Sequence, residues 1–158
     1  MPSVRDSDHR VRRRASTQVI DTDPSLDGLR VLIVDDNEDT RVIFEAIFTH
    51  MGAVVFMAKG GSDALTIVAT NRPHVIVSDL SMPQMDGLEF MRRVRALPGE
   101  GDQPTPAIAI SGFVREEDRE RARLAGYQSF LAKPAEPMLV AREIAQLAQT
   151  TPARRRRR

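Results

Sequence analysis

Short apolar runs that each break off at a polar or charged residue constrain this chain more than any other feature. Val31-Leu32-Ile33-Val34 runs into Asp35-Asp36, and Val75-Ile76-Val77-Ser78 runs into Asp79. Ala107-Ile108-Ala109-Ile110 ends on Ser111, and the shorter Phe130-Leu131-Ala132 ends on Lys133-Pro134. Near-continuous Val and Ile content fits strands buried on both faces of a parallel sheet. The carboxyl ends of such strands open on one crevice, where ligands bind. Several carboxylates, one hydroxyl and one ammonium are therefore expected to meet in one pocket.

Between the runs lie segments of helical period. Residues 38–51 place Ile43, Phe44, Ile47, Phe48 and Met51 at i, i+3/i+4 spacing, with Asn37 as the expected cap and Gly52 as the stop. Residues 62–69 turn Ala64, Leu65 and Val68 inward, after a second strand at 54–58. Gly87 opens a third helix, packed through Leu88, Met91 and Val94; a polar connection spans 98–105. A charged fourth helix covers 116–125, where Glu117 and Arg121 have ion-pair spacing. A fifth helix over 137–149 buries Leu139, Val140, Ile144, Leu147 and Ala148. Five strands alternating with five helices predict an α/β fold: a doubly wound, five-stranded parallel sheet with helices on both faces.

The pocket's chemistry follows from its residue types. Magnesium prefers oxygen ligands in octahedral geometry. Carboxylates gathered without a partner repel, and a dication relieves that repulsion. Asp35, Asp36 and Asp79 therefore make most sense around a metal ion. A carboxylate is also a nucleophile toward phosphorus. Lys133 supplies a compact positive charge for one phosphoryl oxygen and Ser111 a donor for another. Taken singly, an aspartate at a strand end is more often a cap or a turn residue. It is the joint pattern, one polar group per strand end, that points to phosphoryl chemistry.

The same stretches, together with Leu80-Ser81-Met82-Pro83-Gln84-Met85-Asp86-Gly87 and Ala125-Gly126-Tyr127, resemble the receiver domains of two-component response regulators over residues 30–148. The resemblance implies the flavodoxin-like strand order 2-1-3-4-5. It implies that Asp79 is the phosphoacceptor, with Mg2+ held by Asp36 directly, by Asp35 largely through water, by Asp79, and by the backbone carbonyl of Ser81. It makes Ser111 and Phe130 the switch pair and Lys133 the phosphate-binding lysine, with a cis Lys133-Pro134 peptide. It implies a histidine kinase or histidine phosphotransfer protein as donor and a partner that reads the α4-β5-α5 face. Phe113, two residues past Ser111, is expected to shield the phosphoryl group from water.

Charge and composition set the remaining expectations. The chain has 158 residues, 41% of them apolar, and no cysteine, which excludes a disulfide framework, a thiolate nucleophile and a zinc knuckle. Its start is polar, without the apolar core of a signal peptide, and no run approaches a membrane span, so a cytoplasmic protein is expected. Residues 1–28 read as a disordered arm, 29–149 as the receiver body, and 150–158 as a basic tail. Arg154 to Arg158 could neutralise nucleic-acid phosphates, but a solvated tail is the favoured reading. No output domain fits after the fifth helix, which favours a stand-alone receiver. A receiver fragment of a hybrid histidine kinase and a phosphoryl sink or shuttle are the nearest alternatives.

Two further classes fit less well. An aspartate-nucleophile phosphatase needs two acids separated by one residue, whereas Asp35 and Asp36 are adjacent and position 38 is Glu38. A mononucleotide-binding flavoprotein needs a phosphate-cradling loop where this chain has acids. His9, His50 and His74 are too scattered for a metal triad, and Met82, Met85, Met91 and Met138 read as packing residues.

Overall fold

A computed structural model describes residues 23–150. Five strands, β1 (Arg30–Val34), β2 (Val54–Ala58), β3 (Val75–Asp79), β4 (Ala107–Ser111) and β5 (Ser129–Ala132), alternate with five helices. The helices are α1 (Glu38–His50), α2 (Gly61–Asn71), α3 (Gly87–Arg95), α4 (Glu116–Ala125) and α5 (Pro137–Gln149). All strand pairs are parallel, in the order β2-β1-β3-β4-β5. The expected strand order and both-sided burial are therefore observed: every residue of β3 and β4 is buried.

Local signals place the helix ends. The Asn37 side chain accepts from the Thr40 amide at 3.0 Å, and the Asp86 side chain from the Glu89 amide at 2.8 Å. Each satisfies an amide that has no partner within its helix. Gly126, at φ 120°, closes α4 in a conformation that favours glycine. Pro137 opens α5, where a missing N–H costs nothing.

Alternation along the strands sorts the core into two layers. Val31, Ile33, Val75, Val77, Ile108 and Ile110 face α1 and α5, packing on Phe44, Phe48, Val140 and Ile144. Leu32, Val34, Ile76, Ala107 and Ala109 face α2, α3 and α4, packing on Ala64, Val68, Phe90 and Val94. Phe44 and Phe48 stack with centroids 5.3 Å apart.

Several expectations need correction. Ile43 is 52% exposed, because α1 buries the narrower stripe through Phe44 and Phe48. Leu139 is 49% exposed, while its neighbours Val140 and Ala141 carry the packing of α5. Helix α2 runs beyond the expected 62–69, and its C-cap Arg72 takes a left-handed conformation at φ 45°. The ion pair formed on α4 is Glu120 with Arg123 rather than Glu117 with Arg121. Part of the expected arm belongs to the body: Leu26 is fully buried, and its amide donates to the Met51 carbonyl. The rest of the expected arm and the arginines of the tail lie outside the described residues. Among the described residues, no helix is long and apolar enough to cross a membrane.

Phe90 is fully buried in the core layer with Ile76, Ala64 and Val68, on the same stripe of α3 as Met91 and Val94. Phe90→Ala removes that ring from the layer beneath the acidic crevice. Chemical denaturation should show a loss of about 3–5 kcal/mol; a loss under about 1 kcal/mol would contradict the packing described.

Candidate functional site

Strand register brings the polar residues together. Val34 lies beside Ser78, so the next residues, Asp35 and Asp79, emerge side by side at the carboxyl ends of β1 and β3. Asp79 sits beside Ile110, and Ser111 beside Ala132, which puts Ser111 and Lys133 one step further along the same edge. The Lys133 amide donates to the Ser111 carbonyl at 2.8 Å, and Leu80 continues the ladder onto Ile110.

Carboxylate oxygens of Asp35, Asp36 and Asp79 all lie within 4.8 Å of one another. Asp35 and Asp79 are buried, Asp36 is exposed. The Lys133 ammonium reaches Asp79 Oδ2 at 2.8 Å, and the Ser81 amide donates to Asp79 Oδ1 at 3.0 Å. The Asn37 amide donates to Asp35 Oδ1 at 2.9 Å, and Arg41 holds the Asp35 carbonyl at 2.7 Å. The Asp35 and Asp79 side chains are thus each held by a backbone amide, while Asp36 is exposed.

The electrostatics record the crowding. Burial pushes the Asp35 carboxyl above its ordinary range, and the charges of Asp79 and Asp36 add to that push; the Asn37 amide and Lys133 oppose it. Burial pulls the Lys133 ammonium down, but the hydrogen bond it donates to Asp79 and the three nearby carboxylates outweigh it and leave the amine raised. An ammonium beside three acids stays charged.

The loop after β3 is locked by close backbone approach. A Cβ on Gly87 would meet the Asp79 carbonyl at 2.5 Å, so only glycine lets α3 start there. The Tyr127 hydroxyl, buried beneath α3, donates to the Gly87 carbonyl at 2.7 Å. Burial pushes that phenol well up, so it remains a donor. Tyr127 belongs to the Ala125-Gly126-Tyr127 stretch of the resemblance, but its bond to Gly87, 40 residues away, carries no sequence signal.

Ser111 is buried and its Oγ accepts from the Phe113 amide at 3.1 Å. Phe130 is half-buried, and the Arg119 guanidinium lies 5.3 Å from its ring centroid. Phe113 is 68% exposed, on the rim of a shallow pocket shared with Ser111, Leu80 and Arg121, and does not close over Asp79 as expected. The Lys133-Pro134 peptide is cis. Met82 and Met91 are buried in the core as packing residues, and His74 Nδ1 accepts the Arg30 amide at 2.9 Å.

This geometry has counterparts among known proteins. The chain is 37% identical over 128 residues to an uncharacterised 14.6 kDa protein of Leptolyngbya boryana, covering 96% of that protein. It is 32% identical to the Regulator of RpoS of Escherichia coli K12, of which it spans only 34%. Among solved structures, the receiver domain of the sensor histidine kinase PA1611 of Pseudomonas aeruginosa superposes with a TM-score of 0.69 at 28% identity, covering 77% of this chain and 98% of that one; it was solved with a magnesium ion coordinated in its active-site cleft. A Francisella response-regulator receiver domain gives 0.71 at 26% identity, covering 78% of this chain and 98% of that one. The model of the response regulator receiver domain matches residues 31–145, and the chain belongs to that family.

Proposed function

We propose that this receiver accepts a phosphoryl group on Asp79 from a phosphohistidine of a histidine kinase or histidine phosphotransfer protein. The observation that carries this reading is one buried carboxylate, Asp79, ion-paired to Lys133 at 2.8 Å and flanked by Asp35 and Asp36. An Asp79 oxygen forms the new O–P bond as the donor's N–P bond breaks, and the imidazole nitrogen keeps the electron pair. No general base is required, because the carboxylate is already ionised. Lys133 offsets charge on one phosphoryl oxygen, and the Ser111 hydroxyl donates to another.

The donor set fits magnesium. It consists of oxygens only, two of its carboxylates are buried, and one ammonium offsets three negative charges. Asp36, Asp35, Asp79 and the Ser81 carbonyl are the groups that would hold it. When bound, it supplies positive charge that offsets the transferring group.

Phosphorylation adds roughly −1.5 to −2 charges and strong acceptor oxygens. A Ser111 hydroxyl drawn toward them vacates space that the apolar Phe130 ring can enter, away from Arg119. The α4-β5-α5 face then differs between two states, and phosphate shifts the balance by binding one of them better. A protein partner reads that face.

Incubation with a small-molecule phosphodonor and Mg2+, followed by intact mass measurement, should add one phosphate to the wild type and none to Asp79→Asn. Equal labelling of the variant would reject Asp79 as the acceptor. Asp35 binds its proton more tightly in the folded chain than in the unfolded one, so its charge at neutral pH costs stability that is recovered as pH falls through its raised pKa. Asp35→Asn keeps the oxygen that accepts from Asn37 and removes that charge. Without metal it should therefore raise Tm by a few degrees, about 1 kcal/mol. It should also lose most of the Tm gain that Mg2+ gives the wild type. An unchanged response to Mg2+ would remove Asp35 from the metal site.

A further inference from the structure

The described residues also enclose a cavity far from the crevice at the carboxyl ends of the strands. It measures about 330 Å3 and lies at the opposite edge of the sheet. It is bounded by residues at or just before the starts of β1, β3 and β4 (Arg30, His74 and Thr105), by the end of α2, and by the 97–105 connection. Its size falls at the low end of small-molecule sites, which run from about 300 to 1,000 Å3.

The lining has two characters. Val68, Ala69, Leu97 and Pro98 form an apolar wall, and Arg30 and Arg72 bring positive charge. The acid in the lining is already neutralised. Glu100 is buried, receives Arg95 Nη1 at 2.8 Å, and accepts from the Thr105 amide and hydroxyl at 2.8 and 2.5 Å. The charge that this cavity offers a ligand is therefore positive.

The cationic side is also held in place. Arg30 Nε and Nη2 donate to the Arg72 carbonyl at 3.2 and 2.9 Å, and Nε also to the Asn71 carbonyl. That clamp uses Nε and Nη2 and not Nη1. Arg72, whose carbonyl it grips, is held at φ 45°, a conformation that costs a side-chain-bearing residue free energy. The Arg30 amide is fixed in turn on His74 Nδ1 at 2.9 Å. The 97–105 connection is braced through Glu100. A preformed, half-apolar, cationic cavity pays little ordering entropy on binding.

We propose that this cavity binds a small organic anion. Its acidic group lies against Arg30 and Arg72, and its apolar body lies on Val68, Ala69, Leu97 and Pro98. The site stands at the other end of the strands from Asp79 and does not depend on the phosphoacceptor reading.

The probe is anilinonaphthalenesulfonate, an aromatic sulfonate, with neutral phenylnaphthylamine as its uncharged counterpart, titrated into the full chain by fluorescence. The sulfonate should bind saturably at one site, with amide shifts at His74, Gly99 and Gln103. Arg72→Gln, on an exposed side chain, should weaken the sulfonate by about tenfold, or about 1.4 kcal/mol, and leave the neutral probe's affinity unchanged. Ala69→Phe, which fills the cavity from an exposed position, should abolish both. Asp79→Asn should bind the sulfonate as the wild type does, so failure here is distinct from failure of phosphorylation. Absence of saturable binding, undiminished sulfonate affinity in Arg72→Gln, or shifts clustered at Phe113 and Leu124 instead would overturn the proposal.

Discussion

Three carboxylates share one ammonium, and the rest of the molecule is arranged to hold them there. Two unit charges 4 Å apart interact by about 4 kcal/mol at an effective dielectric near 20. That is a sizeable share of the roughly 5–15 kcal/mol that keeps a domain folded. Asp35, Asp36 and Asp79 can stay close only if the scaffold resists their separation. The resistance comes from the in-register pairing of β1 with β3 and from the backbone amides that hold Asp35 and Asp79. The Lys133 ammonium, delivered from the end of β5, supplies the opposing charge. A site strained by its own charge is well suited to an incoming dication, because added positive charge relieves the repulsion that the scaffold otherwise bears.

Much of this was readable from residue order because the signals are local and redundant. Alternation of short apolar runs with helical segments leaves few topologies once right-handed crossovers are required. A polar residue at the end of each run then lands on a single edge of the sheet. Asn37, Gly126 and Pro137 announced their helix ends through ordinary capping chemistry. The candidate site residues were legible for the same reason: each stands at or just past the carboxyl end of a strand, and parallel pairing leaves them little freedom to be elsewhere.

What escaped the sequence depended on contacts between distant segments. Ile43 and Leu139 have the right period for burial, but each lies on the margin of its helix's apolar stripe, where the neighbouring helix decides exposure. Phe90 shares the helical stripe of Met91 and Val94, but its complete burial follows from the packing of α3 in a core layer. The Arg95, Glu100 and Thr105 network joins α3 to the start of β4 across a connection that reads as featureless polar loop. No spacing rule finds three partners of that kind, because the loop's path must be known first.

The bond from Tyr127 to Gly87 ties together two positions 40 residues apart in the chain. Trading the tyrosine for phenylalanine would keep the ring's volume yet remove the hydroxyl that donates to the Gly87 carbonyl. Any side chain at position 87 would meet the backbone at Asp79 and Leu80, at the end of β3. Neither locus can drift without the other bearing the cost. A substitution on the outward face of α4, at Leu124 for example, falls on an exposed side chain, whereas a change at Gly87 or Tyr127 disturbs the start of α3.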